Sequence, residues 1–211
     1  ILIMLALTGT AIYLLSLPQT PSIIAGVICG ICVVVMLPGF MIIQPNNSRV
    51  LTFFGRYAGT VISNGFYWVN PLFLKSTVTL RILNLNIDPI KVNDKVGNPI
   101  MIGAVVVWRI KDTYKASFDI SGNIREFVQI QSDAALRQVA GMYAYDTNET
   151  IDKVTLRSDE SGEITQRLED ELNSRLAIAG IEIVEARINY LAYASEIASV
   201  MLRRQQADAI I

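Results

Sequence analysis

The sequence predicts an α+β domain carried behind an N-terminal transmembrane hairpin. Three observations predict it. The 18 basic and 19 acidic residues all lie after residue 43. Two apolar runs, residues 1–17 and 23–43, fill the uncharged part. Beyond them, strand-like alternation comes first and helical spacing follows, the order of an α+β rather than an alternating α/β chain.

The second apolar run has 21 residues. At about 1.5 Å per residue it reaches roughly 31 Å, enough for a hydrocarbon core of about 30 Å. The first run is shorter. The chain begins with isoleucine rather than methionine, so upstream residues are expected to lengthen it. Pro18-Gln19-Thr20-Pro21-Ser22 is an uncharged turn between the runs. A signal peptide is the competing reading of the first run, but a basic start and an A-x-A site are both lacking. A re-entrant loop is the competing reading of the second, because Pro38-Gly39 would kink a helix. Cys29 and Cys32 fall inside the second run. They read as small packing residues, since a reactive C-x-x-C needs a helix start or basic neighbours.

The next charges are Arg49, Arg56, Lys75 and Arg81, with no acid before Asp88. The positive-inside rule then places the domain on the cytoplasmic side. The same stretch suits anionic head groups.

Residues 48–54 are rich in β formers and end at Gly55. Residues 59–69 read as a strand pair broken at Asn64-Gly65, a hairpin signal. Val78, Leu80 and Ile82 alternate, then the apolar set changes phase to Leu83, Leu85 and Ile87, which predicts a bulge or bend. Residues 93–99 form a loop. Ile100, Ile102, Ala104, Val106, Trp108 and Ile110 then make a period-2 face. Met101, Val105 and Val107 on the other face predict a strand buried on both sides.

From Ile124 the spacing becomes helical, with Asn123 as its cap. Residues 162–179 are the clearest helix: Ile164, Leu168, Leu172 and Leu176 form one stripe, Glu171 and Arg175 can pair, and Gly180 caps the end. Residues 181–191 are a strand with a phase change after Ile183. Ser195 opens a last helix that carries no stop signal and is expected to continue beyond residue 211.

Composition excludes several classes. The apolar share of 52% and the formal charge of −1 exclude disorder. An acidic pI of about 5.5 with no basic run excludes a nucleic-acid binder. Two cysteines exclude a disulfide scaffold, and the absence of histidine removes Ser–His–Asp and Cys–His catalysis. A Ser–Lys dyad at Ser76 with Lys75, or Ser117 with Lys115, is the remaining catalytic arrangement. Lys75 and Ser76 are adjacent on a strand and diverge. Asp152, Asp159, Glu160 and Glu163 are acidic and close, but a solvated loop and helix start explain them without a metal. No catalytic, cofactor or metal residue is therefore assigned.

Three stretches together resemble the SPFH or band 7 family, the stomatin–prohibitin–flotillin group. The first is residues 44–71, Q-P-N-N-S-R-V-L-T-F-F-G-R-Y-A-G-T-V-I-S-N-G-F-Y-W-V-N-P. The second is residues 81–116, with Ile90-Lys91-Val92, Asn98-Pro99 and Asp112-Thr113-Tyr114-Lys115-Ala116, similar to the family's D-x-x-K-A. The third is residues 168–207, with Gly180-Ile181 and Glu196-Ile197, similar to P-x-[DE]-[IV]. Ala194 stands where that pattern has proline, two apolar runs stand where many members have one segment or a shallow hairpin, and residues 148–161 look like an insertion. The succession divides the chain into an anchor at 1–43, an SPFH domain at 44–194 and the start of a long helix at 195–211.

The resemblance implies a non-enzymatic scaffold that assembles into rings or cages on a membrane and organises membrane proteins or lipids. Its implied partners are membrane lipids, further copies of itself or a related SPFH subunit, and an FtsH-type AAA+ membrane protease or other membrane protein. Resemblance to stomatins implies an adaptor of a channel or transporter instead, without large assembly. Phe66, Trp68 and Phe73, with Arg49 and Arg56, are candidates for the membrane interface, where Trp and Tyr are enriched. Packing in the domain core is equally open to the aromatics. Arg203, Arg204 and Gln205 are candidates for subunit contacts, and a solvated helix face is equally open to them.

Overall fold

The computed structural model describes residues 2–146, 154–157 and 162–208. The chain divides into two compact units, residues 1–79 and 80–211. The fold is mixed α+β, with antiparallel strand pairs throughout.

The first unit opens with α1 (Leu2–Ser16) and α2 (Thr20–Met36). Pro21 sits in the first turn of α2, where a missing N–H costs nothing. The two helices pack through small groups. Cys29 Sγ donates to the Leu7 carbonyl at 3.3 Å, and a Cβ on Gly26 would meet Leu15 at 2.8 Å. Most of the remaining side chains of the pair are exposed hydrocarbon, Ile3, Ile12, Ile31 and Val34 among them. Residues Thr20–Gly39 are long and apolar enough to cross a membrane, while Leu2–Ser16 is shorter than that.

The second apolar run does not stay helical to residue 43 as expected. Pro38 and Gly39 close it in a single 3-10 turn (Leu37–Gly39), and Phe40–Ile43 is strand β1. Proline disfavours helix for the residue before it and removes a donor, so the run breaks there. β1 pairs with β4 (Gly65–Trp68). A second sheet has the order β3-β2-β5, from β2 (Asn47–Phe53), β3 (Arg56–Val61) and β5 (Leu74–Thr79).

This corrects the hairpin expected at Asn64-Gly65: β3 and β4 belong to different sheets. The tight turn is at Phe54-Gly55, with φ of 46° and 81°, joining the paired residues Phe53 and Arg56. Positive φ at both central positions matches the right-handed strand twist. Met41, Ile43 and Leu51 form the small core, with Val61, Tyr67, Val69 and Phe73 against it.

The phase change after Ile82 is likewise not a bulge within one strand. β5 ends at Thr79 and β6 (Leu83–Asn93) begins a new sheet in the second unit. That sheet runs β6-β7-β8, with β7 (Pro99–Ile110) central and β8 (Ile181–Tyr193) on its other side. The phase change in β8 is a bulge: Trp108 faces Ile183 and Val107 faces Glu185, leaving Val184 unpaired and exposed.

One face of the β6-β7-β8 sheet is buried under α4 (Ile124–Ala140), which packs on β6 and β7, and α5 (Glu163–Leu176), which packs on β8. Ile164, Leu168, Leu172 and Leu176 are completely buried there, as their spacing requires. Asn123 caps α4 by accepting the Arg125 N–H at 2.9 Å. Glu171 accepts from Arg175 Nε at 2.6 Å, and Arg175 also donates to Gln138 on α4. The opposite face of β7 is not buried as expected: Met101, Val105 and Val107 are only half-buried. This face carries polar neighbours such as Asn86, Asn189 and Arg187.

Two polar devices hold the ends of the sheet. Asp94, 5% exposed, accepts the backbone N–H of Val96, Asn98 and Tyr145 and the Asn98 amide, at 2.7–3.2 Å. Gly180, at φ +65°, lets its carbonyl accept from both Lys111 and Asp112.

Candidate membrane and assembly surfaces

The end of α2 is tied into the first unit by four hydrogen bonds to four consecutive carbonyls. Trp68 Nε1 donates to Met36 at 3.2 Å, Phe40 N–H to Leu37, Lys75 Nζ to Pro38, and Val69 N–H to Gly39 at 2.9 Å. The last carbonyls of a helix have no intrahelical partner, and a cation there meets the negative end of the helix dipole. Gly39 is required by this closeness, since a Cβ there would lie 2.6 Å from the Val69 carbonyl.

The β1–β4 ladder then sets the faces. Phe40 pairs with Trp68 and Ile42 with Phe66, so these four share one face, while Met41, Ile43 and Tyr67 turn into the core. Ile42, Phe66 and Trp68 are 64%, 55% and 49% exposed, and Phe40 stacks on Phe66 at 5.3 Å. An exposed contiguous apolar face marks a contact surface. Phe73 does not share it: its ring packs on the Met41–Ile43–Leu51 core and meets Phe53 edge-on at 5.5 Å. Arg56 is exposed beside the Phe54-Gly55 turn, and Arg49 is half-buried on β2 opposite Thr77. Lys75 as a helix-end ligand is legible only once β5 is placed.

Neither serine–lysine pair is arranged for catalysis. Ser76 is exposed on β5 while Lys75 reaches the Pro38 carbonyl, and Ser117 donates to Thr113 O at 2.7 Å within its own helix. Of the acidic group near residue 160, Glu163 accepts from Tyr143 at 3.3 Å. Asp152, Asp159 and Glu160 lie outside the described residues.

A family model for the SPFH domain / Band 7 family matches residues 41–211. The chain belongs to the SPFH family. No curated protein matches it.

Within this SPFH chain the D-x-x-K-A stretch has a physical role. Asp112 accepts the N–H groups of Tyr114 and Lys115 at 3.0 and 3.2 Å and starts α3 (Thr113–Phe118). Ala194, where the family pattern has proline, donates its N–H to the Pro99 carbonyl at 2.9 Å, a bond that proline lacks. Glu196 at the start of α6 (Ser195–Asp208) accepts from Lys91 at 2.5 Å, which holds its carboxyl below the usual range. Glu182 is held down likewise, by Lys111 first and Arg109 second, at 2.8 and 2.7 Å. Asp133 is pushed up, mainly by burial, with Arg137 opposing and Asp88 adding to the shift. Arg203 is exposed on α6, and the side chains of Arg204 and Gln205 lie outside the described residues.

Proposed function

We propose that the protein is a non-enzymatic, membrane-anchored SPFH scaffold that assembles into a ring or cage and organises membrane proteins or lipid microdomains. The observation that carries this reading is the SPFH domain over residues 41–211 joined to an apolar helix, Thr20–Gly39, long enough to span a bilayer. In this reading α1 and α2 enter the membrane as a hairpin. The domain lies on the cytoplasmic side, because the first charges after the helix are all basic. Phe66 and Trp68 meet the interface, with Arg49 and Arg56 beside the head groups. Arg203, Arg204 and Gln205 join neighbouring subunits through α6, and the half-exposed outer face of the β6-β7-β8 sheet offers a second contact surface. An FtsH-type AAA+ membrane protease is one class of client for such an enclosure.

Single-particle electron microscopy of the full-length protein in mild detergent tests it. Large closed rings or cages are expected. Monomers or dimers across several mild detergents would overturn the scaffold and leave the channel or transporter adaptor as the function. Charge reversal at Arg203 and Arg204 is expected to break assembly; intact rings in that variant would remove these residues from the contact.

A further inference from the structure

The first unit contains an open groove of about 550 Å³ in which an apolar wall meets a polar one. Phe40, Ile42 and Phe66 form the apolar wall, and Asn47, Arg49 and Thr77 the polar wall. The strand ladders explain the pairing: Ile42 faces Phe66 across β1–β4, and Arg49 faces Thr77 across β2–β5.

Three facts define what fits. First, the Arg49 guanidinium makes no hydrogen bond or ion pair among the described residues. Second, nothing in its own unit can neutralise it: Arg49, Arg56 and Lys75 are the only charged side chains in residues 1–79, which contain no Asp or Glu. Third, the groove begins where the apolar helix stops. Phe40 and Ile42 follow Gly39, the last residue of the membrane-length segment, by one and three positions. At about 3.3 Å per residue that is within roughly 10 Å of chain, and the head-group layer is about 5–8 Å deep on each side of the hydrocarbon.

We propose that this groove binds one anionic phospholipid of the membrane that α2 enters. The phosphate sits on the Arg49 guanidinium, and the glycerol backbone with the upper acyl chain lies along Phe40, Ile42 and Phe66. A guanidinium presents a planar fork to two phosphate oxygens, which an uncharged side chain cannot replace. The apolar wall selects a lipid over free phosphate, and the lone cation selects an anionic lipid over a zwitterionic one. The inference rests on the membrane anchoring proposed above and adds a ligand class and its residues to it.

The test uses the full-length chain in vesicles of fixed phosphatidylcholine and phosphatidylglycerol content, with bromine on the acyl chains of one lipid or the other. Trp68 shares the exposed face with Phe66 and reports contact through quenching of its fluorescence. Trp68→Phe identifies its share, because Trp108, the other tryptophan, is 2% exposed. One basic side chain at an anionic surface corresponds to about five-fold enrichment. Brominated phosphatidylglycerol is therefore expected to quench Trp68 as though enriched about five-fold over phosphatidylcholine. Arg49→Gln should bring the two lipids to parity, while Arg49→Lys keeps part of the excess and Arg56→Gln keeps most of it. Equal quenching by both lipids in the unsubstituted protein overturns the groove and leaves the anchoring intact. Quenching by neither overturns the anchoring at this face. An excess that survives Arg49→Gln overturns the assignment to Arg49.

Discussion

Two glycines with nearly the same backbone but different surroundings separate conformational strain from steric contact. Gly180 has φ +65° and Gly162 has φ +68°. A Cβ on Gly180 would lie 2.6 Å from the Asp112 carbonyl oxygen and 2.7 Å from the Asp112 Cβ. A Cβ on Gly162 meets nothing within 4 Å among the described residues. The left-handed conformation costs an L-residue about 1–2 kcal/mol. Forcing extra volume into a packed site adds about 1–3 kcal/mol. The Asp112 backbone cannot retreat cheaply, because its N–H bonds Gly180 and its carboxylate caps α3. Gly162→Ala should therefore cost about 1 kcal/mol and Gly180→Ala about 3 kcal/mol. The assay is urea unfolding of the full chain in mild detergent, followed by Trp108 emission in a Trp68→Phe background. Equal losses for the two variants, or a loss below about 1 kcal/mol for Gly180→Ala, would refute the steric argument.

Asp94→Ala should cost about 2 kcal/mol in the same assay, since it removes the acceptor of three part-buried backbone N–H groups at once; a loss within error would show that water replaces it. Leu172→Ala, at a completely buried position, should cost about 2–5 kcal/mol, and a near-neutral result would mean that α5 does not close the core. Lys75→Met should lower stability in detergent by about 1 kcal/mol by leaving the Pro38 carbonyl unpaired, with an unchanged melting curve as the contrary outcome. Glu182, with an ordinary value near 4.5, is held lower when folded. Its contribution is thus full above that value and is lost as pH falls through the depressed one. Glu182→Gln should flatten the acid limb of a stability–pH curve, and a parallel curve would count against the Lys111 and Arg109 pairing.

The elements that were legible from sequence are those whose signal is local. The α5 stripe of Ile164, Leu168, Leu172 and Leu176 needs only its own period. Asn123 and Gly180 announce helix ends through their own side chain or φ. Partner choice was not legible. Asn64-Gly65 carries the stronger hairpin composition, yet the turn formed at Phe54-Gly55 because β3 closes on β2 and β4 on β1. The phase changes at residues 82–83 and 183–184 look alike in sequence. One is a break between two sheets and the other a bulge within a strand, and only the pairing distinguishes them. The exposed face of Phe66 and Trp68 followed from alternation. Phe73 fell elsewhere because its ring turns into the small core.

The helix exit shows why strand placement matters to the membrane reading. Where a helix ends in water, its last carbonyls are solvated without further help. At the edge of lipid each unpaired polar group is costly, so the protein must supply the partners. Here Met36, Leu37, Pro38 and Gly39 are all satisfied, two of them by the side chains of Trp68 and Lys75, 32 and 37 residues further on. Trp68 has the amphipathic character that suits an interface, with an apolar ring and one donor. Lys75 adds charge at the negative end of the helix dipole. Neither residue is marked by sequence distance or local pattern as a partner of α2. The return of β4 and β5 to the helix end is what gives the Met36, Pro38 and Gly39 carbonyls their partners as the chain leaves the apolar segment. It also leaves Arg49 as the cation of this unit that lies in the groove without a partner among the described residues.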